Sequence, residues 1–322
     1  MTQAQSIIPA VANGPLFSVV IPTFNRAKKV VRAVRSVLSQ TFPDFEICVV
    51  DDGSSDETGS ALAALDISRL KYIYQSNQGV AAARNAGLAL ADGVYVAFLD
   101  ADDWWYADKL SRVAKAIQTN PEAGLFYSGM DVVDRLGNAV RTVRARRARG
   151  DAYRDLLEGN YVFTSGAVAK RLCIKSVGGF DHKLEPCEDW DLWIRIARNY
   201  PISRIPEVSV AIEASGDDSL TSRYEKWASA HDQVMAKALA ADADLTLTWM
   251  SRIAAGVSYA KASIYLGAGE ERLALEQFKR AFMQNARRWR ALVYVIVLSW
   301  TALRRSLPNR AKVLLRLPEA HR

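Results

Sequence analysis

Cysteine and histidine are both scarce, at three each in 322 residues. Cys48, Cys173 and Cys187 are an odd, widely spaced set. They build no disulfide framework, which favours a reducing compartment. A secretory leader is missing too: Met1 to Pro15 shows no basic start followed by an apolar run, and residues 1–15 read as a flexible N-terminus. Long hydrophobic runs are absent. The one membrane candidate, Ala291–Leu303, has 13 residues, short of the ~20 needed to span a bilayer. No G-x-G-x-x-G occurs, which removes a dinucleotide dehydrogenase. No Gly-rich basic loop follows Ile21, which removes a nucleotidyltransferase.

What is present is an ordinary globular composition. Half the residues are apolar, enough for a full core, and the length suits one large domain or two ordinary ones. The net charge of +7 is concentrated in two places. Arg141, Arg144, Arg146, Arg147 and Arg149 lie together with no acid among them, and from Arg287 onward nine Lys or Arg face the single acid Glu319. Such segments suit an anionic surface. A nucleic-acid partner would rest on these arginine clusters alone and is not expected.

Short apolar runs alternate with helical patterns over the first hundred residues. Phe17–Ile21, Glu46–Val50, Leu70–Tyr74 and Val94–Leu99 read as buried strands, and Ala27–Leu38, Glu57–Leu65 and Val80–Leu90 as helices. This predicts an α/β fold with a mostly parallel, Rossmann-like sheet flanked by helices. After about Asp103 the pattern changes. Ala107–Thr119 is helical and stops at Asn120-Pro121. Leu125–Val133 and Ala139–Val143 form a strand pair around the turn signal Leu136-Gly137-Asn138. Asp151–Glu158 and Cys187–Asn199 are helical, and Ile202–Ile212 is extended and broken at Pro206. From about Thr221 the pattern is helical and amphipathic. Tyr259, Ile264–Leu266, Leu273–Ala274 and Phe278 recur at helical spacing around Gly267-Ala268-Gly269, as in one tetratricopeptide-like hairpin without a second copy.

Open α/β sheets bind ligands in the crevice at the carboxyl ends of their strands, and three polar clusters fall there. Asp100-Ala101-Asp102-Asp103 follows the fourth strand. Carboxylates at i and i+2 can aim at one point, and hard oxygen ligands suit Mg2+ or Mn2+ held through one or two carboxylates plus substrate phosphates. The alternative is a solvated acidic turn that caps the next helix. Asp51-Asp52-Gly53-Ser54 follows the second strand. A carboxylate there can accept a hydrogen bond from a nucleobase imide N–H, while Ser55 or Asp56 caps the next helix and Gly53 suits a positive φ. Pro22-Thr23-Phe24-Asn25-Arg26 joins the first strand to the first helix, where backbone N–H groups favour anions and Phe24 can stack on a ring. Asn77-Gln78-Gly79 opens the helix carrying Arg84 and Asn85. Arg84 either reaches back to a phosphate or is an ordinary surface arginine.

Glu188-Asp189-Trp190-Asp191-Leu192-Trp193 opens a later helix. The helix dipole favours acids in a first turn. Three acids interleaved with two tryptophans also suit an acceptor site, with a carboxylate as general base on a hydroxyl and Trp190 or Trp193 against a sugar face. Trp104 and Trp105 can do the same. At least half of these four tryptophans are expected to seal the core instead.

Together these segments resemble glycosyltransferase family 2, with its GT-A fold. The resemblance rests on Ser18–Arg26, Val50–Asp56, Asn77-Gln78-Gly79 with Ala83–Gly87, Phe98–Asp103, Gly178-Gly179-Phe180-Asp181 and Glu188–Trp193, in the family's order and spacing over about residues 16–222. It implies a role for each matching position. Thr23, Phe24, Asn25 and Asp52 would line the nucleoside pocket, with Asp52 on the base, and Pro22, Asn77, Gly79 and Ala101 would complete the nucleotide set. Arg84 would lie toward the diphosphate. Asp100 would sit near the ribose and the metal, and Asp102 would be the main ligand of Mn2+ or Mg2+. Asp189 would be the catalytic base and Glu188 its neighbour on the acceptor side.

The implied protein is an inverting enzyme that moves a sugar from a nucleotide-sugar to a glycan or lipid-linked acceptor in cell-surface polysaccharide synthesis. A carboxylate facing the base suits uracil, so UDP is the expected carrier, with dTDP and GDP open. Residues 16–222 would form the catalytic domain, 16–103 its nucleotide half and 104–222 its acceptor half, followed by a helical region over 223–322. One departure concerns the stretch before Ser219-Leu220-Thr221. Relatives often place an Arg or His there, and here it reads Ala214-Ser215-Gly216-Asp217-Asp218, so either water and phosphate would complete the metal's shell or the site would be weaker.

Arg287-Arg288-Trp289-Arg290 precedes Ala291–Leu303, and Arg304-Arg305 follows it. Basic and Trp flanks on a short apolar helix suit an interfacial helix, here over 288–305, on the inner face of a bacterial inner membrane. The alternative is a terminal helix packed on the enzyme. Arg141–Arg149 would be a second contact or a loop over the donor. Two other classes compete. An inactive nucleotide-binding scaffold conflicts with the intact Asp100, Asp102 and Asp189. An Asp-nucleophile phosphohydrolase would place its Asp-x-Asp after the first strand, not the fourth.

Overall fold

The computed structural model describes residues 14–134, 136–213, 224–286 and 289–306, with main chain only at 289 and 300–306. The expectations for residues 1–13, for Ala214–Asp218 and for Arg287-Arg288 lie outside the described residues.

The first strands are β1 (Phe17–Thr23), β2 (Phe45–Asp51), β3 (Leu70–Tyr74) and β4 (Tyr95–Phe98). They alternate with the helices α1 (Ala27–Leu38), α2 (Thr58–Ala63) and α3 (Val80–Leu90). The strands lie parallel in the order β3-β2-β1-β4. Every residue of β1 and β2 is buried, which is why their sequences run apolar on both faces rather than alternating. In α1 the buried positions are Val30, Ala33, Val34 and Val37, the i, i+3, i+4, i+7 stripe of a helix resting on a sheet.

The sheet then becomes mixed. Its further strands are β5 (Asp103–Trp105), β6 (Leu125–Val133), β7 (Ala139–Val143), β8 (Ala167–Lys170) and β9 (Ile202–Glu213). β8 is antiparallel to both β4 and β6, β9 is parallel to β6, and β5 is antiparallel to β9. The expected hairpin of β6 and β7 is present. β9 runs through Pro206 instead of breaking there. Its register shifts so that Tyr127 faces Arg204 while Gly129 faces Val208, and the proline falls in that irregularity, where no ladder N–H is required. The remaining helices around the sheet are α4 (Lys109–Thr119), α5 (Ala152–Leu157), α6 (Arg171–Ser176) and α7 (Glu188–Asn199), with a 3-10 turn at Thr164–Gly166.

Contacts divide the chain into two compact units, Met1–Gly216 with Ala236–Ala241, and Asp217–Met235 with Asp242–Arg322. The first has a core in which Val19, Ile21, Val34, Ile47, Leu99 and Leu110 are sealed between sheet and helices. The second is helical. It includes α9 (Leu247–Gly267), α10 (Glu271–Gln284) and α11 (Trp289–Ser306), while α8 (Tyr224–Ala241) runs through both units. α9 and α10 form the expected hairpin. The turn between them closes with Gly269 N–H donated to the Leu266 carbonyl and Glu270 N–H to the Tyr265 carbonyl, a Schellman ending. Phe278 stacks flat on Tyr294, ring centroids 4.6 Å apart, over buried Ala262, Ala274 and Ala291. No helix among the described residues is long and apolar enough to cross a membrane.

Candidate active site

The loops after β1 and β2 are laced together. Asn25 adopts positive φ, at 51°, which its short polar side chain tolerates. Its Oδ1 accepts from Ser55 N–H at 2.8 Å, and its own N–H goes to Ser54 Oγ at 2.8 Å. Pro22 lies in β1 and Thr23 closes it, with the Thr23 carbonyl accepting Asp52 N–H at 2.8 Å. Thr23 is buried, and its hydroxyl has no hydrogen-bond partner among the described residues. Buried polar atoms are rarely left so. Phe24, by contrast, is 45% exposed and offers a free ring face beside this hydroxyl's loop.

Asp52 is held fixed by three donors. Its Oδ1 accepts from Gln75 Nε2 at 2.7 Å and Gln78 N–H at 2.9 Å, and its Oδ2 from Gly79 N–H at 2.8 Å. A carboxylate has about four lone-pair sites, so one on Oδ2 is left without a donor among the described residues. Two glycines allow this approach. Gly53 has φ +90°, and a Cβ there would stand 2.8 Å from Asn77 N. Gly79 also has φ +90°, and its Cβ position is filled by the Glu185 carboxylate, whose Oε1 accepts Val80 N–H at 2.8 Å at the start of α3.

The acids after β4 split into three environments. Asp100 is partly exposed and accepts from Arg84 Nη2 on Oδ1 at 2.7 Å. Ala101 is buried behind it. Asp102 is also partly exposed and accepts from Arg26 Nη1 on Oδ2 at 2.8 Å, while its carbonyl accepts from Arg32 Nη2 at 2.7 Å. Asp103 is buried and accepts from Ser165 Oγ at 2.5 Å. Burial and the nearby Asp100 hold its carboxyl well above the usual carboxylate range.

Residues 104 apart in sequence meet at Arg84. This arginine is not at the surface. It is buried, with Nη1 on Glu188 Oε1 and Nη2 on Asp100 Oδ1, and its guanidinium lies 5.5 Å from the Phe180 ring centroid. Both Nη groups therefore face acids of the chain. The neighbouring Asn85 locks the Gly178–Asp181 loop, donating from Nδ2 to the Phe180 carbonyl at 2.8 Å and accepting Phe180 N–H at 2.9 Å. Asp189 is half-buried. Its Oδ2 accepts from Thr164 Oγ1 at 2.8 Å and its Oδ1 from Trp190 N–H at 2.6 Å. Burial raises its carboxyl, against the pull of Arg84. Burial likewise pushes Glu188 up to about 7.

The tryptophans divide. Trp105, Trp190 and Trp193 are buried. Of the four tryptophans beside the two acidic motifs, Trp104 alone is partly open, under the Arg32 guanidinium at 4.1 Å. Arg146 and Arg149 are tied to Asp155, and Arg149 also to Glu158, leaving Arg141, Arg144 and Arg147 as the outward part of that cluster. Thr164, Ser165 and Glu185 escaped the sequence reading because nothing local marks them, and Arg26 was named there within its motif but given no role; each matters through a partner far along the chain.

No group of three or more His, Cys, Asp or Glu side chains among the described residues is placed to hold a metal. Asp100 and Asp102 fit the smaller role. Each has one carboxylate oxygen with no hydrogen bond among the described residues, and a hard divalent cation commonly takes one or two carboxylates, with the remaining sites filled by phosphate and water.

The site thus sets a rigidly held carboxylate after one strand of an α/β sheet and a run of acids after another. The model for glycosyl transferase family 2 matches residues 18–174, and that segment carries the family's domain. An uncharacterised glycosyltransferase of Rickettsia conorii is 31% identical over 215 residues, covering 66% of this chain and 35% of that protein. One from Nostoc is 35% identical over 187 residues, covering 55% and 56%. The chain thus spans about a third to just over half the length of these relatives. Among solved structures, residues 1–349 of S. aureus TarS superpose with a TM-score of 0.61 at 18% identity, covering 91% of this chain and 92% of that segment. TarS has also been solved with UDP-GlcNAc. A mannosyltransferase from Pyrobaculum calidifontis, solved with GDP-Man and Mn2+, has a TM-score of 0.56 at 21% identity, covering 92% and 89%. Both likenesses establish the GT-A fold.

Proposed function

We propose that the chain is an inverting glycosyltransferase that moves a sugar from a UDP-sugar to a hydroxyl of a glycan or lipid-linked acceptor in cell-surface polysaccharide synthesis. The observation that carries this is the Arg84 guanidinium. It joins Asp100, on the donor side, to Glu188, which adjoins Asp189 on the acceptor side. The lone pair left on Asp52 accepts the uracil N–H, Phe24 stacks on the ring, and the unpartnered Thr23 hydroxyl gains a polar partner from the nucleoside. The UDP-GlcNAc complex of TarS supports the choice of carrier.

Asp189 takes the proton from the acceptor hydroxyl as its oxygen bonds to the anomeric carbon. The bond from that carbon to the diphosphate oxygen breaks, the centre inverts, and nucleoside diphosphate leaves. General-base help of this kind is worth ~10²–10⁴-fold, and holding both substrates at one cleft contributes much of the rest. Asp102, with Asp100, would hold Mn2+ or Mg2+, whose Lewis acidity stabilises the departing diphosphate. The test is Asp189→Asn, assayed on a panel of UDP-sugars. Transfer should vanish while UDP affinity by calorimetry stays; retained turnover would remove Asp189 as the base.

The proposed meeting place with a lipid-linked acceptor is the anionic inner face of the bacterial membrane. On α11, Val293, Ile296 and Val297 are 45%, 60% and 50% exposed, and residues 277–318 contain no acid. An apolar face with basic flanks binds anionic lipid surfaces. The full chain should float with phosphatidylglycerol vesicles and not with phosphatidylcholine vesicles. Equal flotation of an Ile296→Glu, Val297→Glu variant would count against this contact.

A further inference from the structure

The 3-10 turn Thr164–Gly166 ties together parts of the site that are far apart in sequence. Ser165 Oγ accepts Asp100 N–H at 3.0 Å and donates to Asp103 Oδ2 at 2.5 Å. The Ser165 carbonyl accepts from Trp105 Nε1 at 2.9 Å, and the Gly166 carbonyl from Lys109 Nζ at 3.2 Å. On the other side, Thr164 Oγ1 donates to Asp189 Oδ2 at 2.8 Å. Thr164 and Ser165 are both buried. One three-residue turn therefore grips the acids after β4 with its serine and the first turn of α7 with its threonine.

We propose that Thr164 is a positioning residue for the base: its hydroxyl holds the Asp189 carboxylate in the one orientation that reaches the acceptor hydroxyl. This rests on the reading of Asp189 as the base. The physical case is one of degrees of freedom. An aspartate side chain at a helix start turns about two bonds. Trp190 N–H takes one oxygen and Thr164 takes the other, so the plane of the carboxylate is fixed. A hydroxyl has a single proton to donate, and here it goes to Asp189 alone. Lone pairs remain on both oxygens for the acceptor. A general base must come within about 2.6–3.2 Å of the proton it removes, and a misplacement of about 1 Å can cost on the order of 10²-fold.

Thr164→Val keeps the shape and removes the donor, and Thr164→Ser keeps the donor. The measured quantity is UDP released from the UDP-sugar that the wild-type chain turns over fastest. Thr164→Val should lower kcat by about 10–100-fold, with the donor KM and the affinity for UDP within about twofold of wild type. Thr164→Ser should recover most of the loss. A valine variant with wild-type kcat overturns the proposal, as does a serine variant no better than valine. A parallel loss of UDP affinity also overturns it, because that marks a general structural role. If valine does not fold, as judged by thermal melting, Thr164→Ala is measured against Thr164→Ser in the same way. Asp189→Asn separates the two layers. If it stays active, the assignment of the base fails; if it is inactive while Thr164→Val is unimpaired, only the role of Thr164 fails.

Discussion

Arg84 on α3 reaches Glu188 on α7 beneath the site, and both side chains are almost fully shielded from water, at 5% and 8% exposure. A guanidinium buried this way stays charged and serves two carboxylates at once through its planar fork. Removing it would leave Glu188 and Asp100 facing each other without a counter-charge. Breaking a buried pair typically costs about 3–5 kcal/mol, so Arg84→Met should unfold at clearly lower denaturant than wild type. Arg84→Lys offers one compact charge in place of a fork and should fall between them. An Arg84→Met chain as stable as wild type would mean that the acids simply take up protons instead.

Asp102 carries the second expectation. Its resting partner, Arg26, is 44% exposed and Asp102 itself 40%, and exposed pairs of this kind contribute little. A divalent cation can therefore displace the arginine at small cost. Wild type should bind UDP more tightly with Mn2+ than after chelation, by an amount on the order of tenfold, or ~1.4 kcal/mol. Asp102→Ala should bind UDP equally with and without the ion. Calorimetry under both conditions decides it, and a wild-type chain indifferent to Mn2+ would remove the metal from donor binding.

Much of the first half of the fold was legible from pattern. Ala27–Leu38, Leu70–Tyr74 and Val80–Leu90 have the ends that periodicity and turn residues predicted. β5 and β8 were not legible, because Asp103–Trp105 and Ala167–Lys170 are too short to show a period. They are strands only because β9, β4 and β6 lie alongside. With β7 they make the second half of the sheet mixed; the expected parallel pairing runs through β1 to β4 and returns between β6 and β9. At the site, acids adjacent in sequence were easy to see. Their environments were not: an arginine one turn into a helix looks the same whether it faces solvent or, like Arg84, two buried carboxylates. Thr164 and Glu185 act on residues 25 and 105 positions away, and a Thr or Glu in a loop carries no mark of that.

Lys109 supplies a prediction about pH. It begins α4, is fully buried, and has no carboxylate within ion-pair reach among the described residues. Its Nζ donates to the Gly166 carbonyl at 3.2 Å and lies near Ser209 Oγ at 3.5 Å. Burial lowers its pKa from 10.5 to about 7. Between those values the unfolded chain binds a proton that the folded chain does not, so this group makes stability rise with pH across that window. Below about pH 7 both states are protonated and the penalty is at its full value; above 10.5 both are neutral and it is gone. Lys109→Met, of similar shape, removes the penalty. It should raise Tm by several degrees at pH 7, and the gap to wild type should shrink steadily as the pH approaches 10. Thermal melts of both chains from pH 6 to 10 read this directly. A gap that does not change with pH would show that Lys109 keeps its proton in the folded state, held by the Gly166 carbonyl and by the Trp105 ring 4.9 Å away.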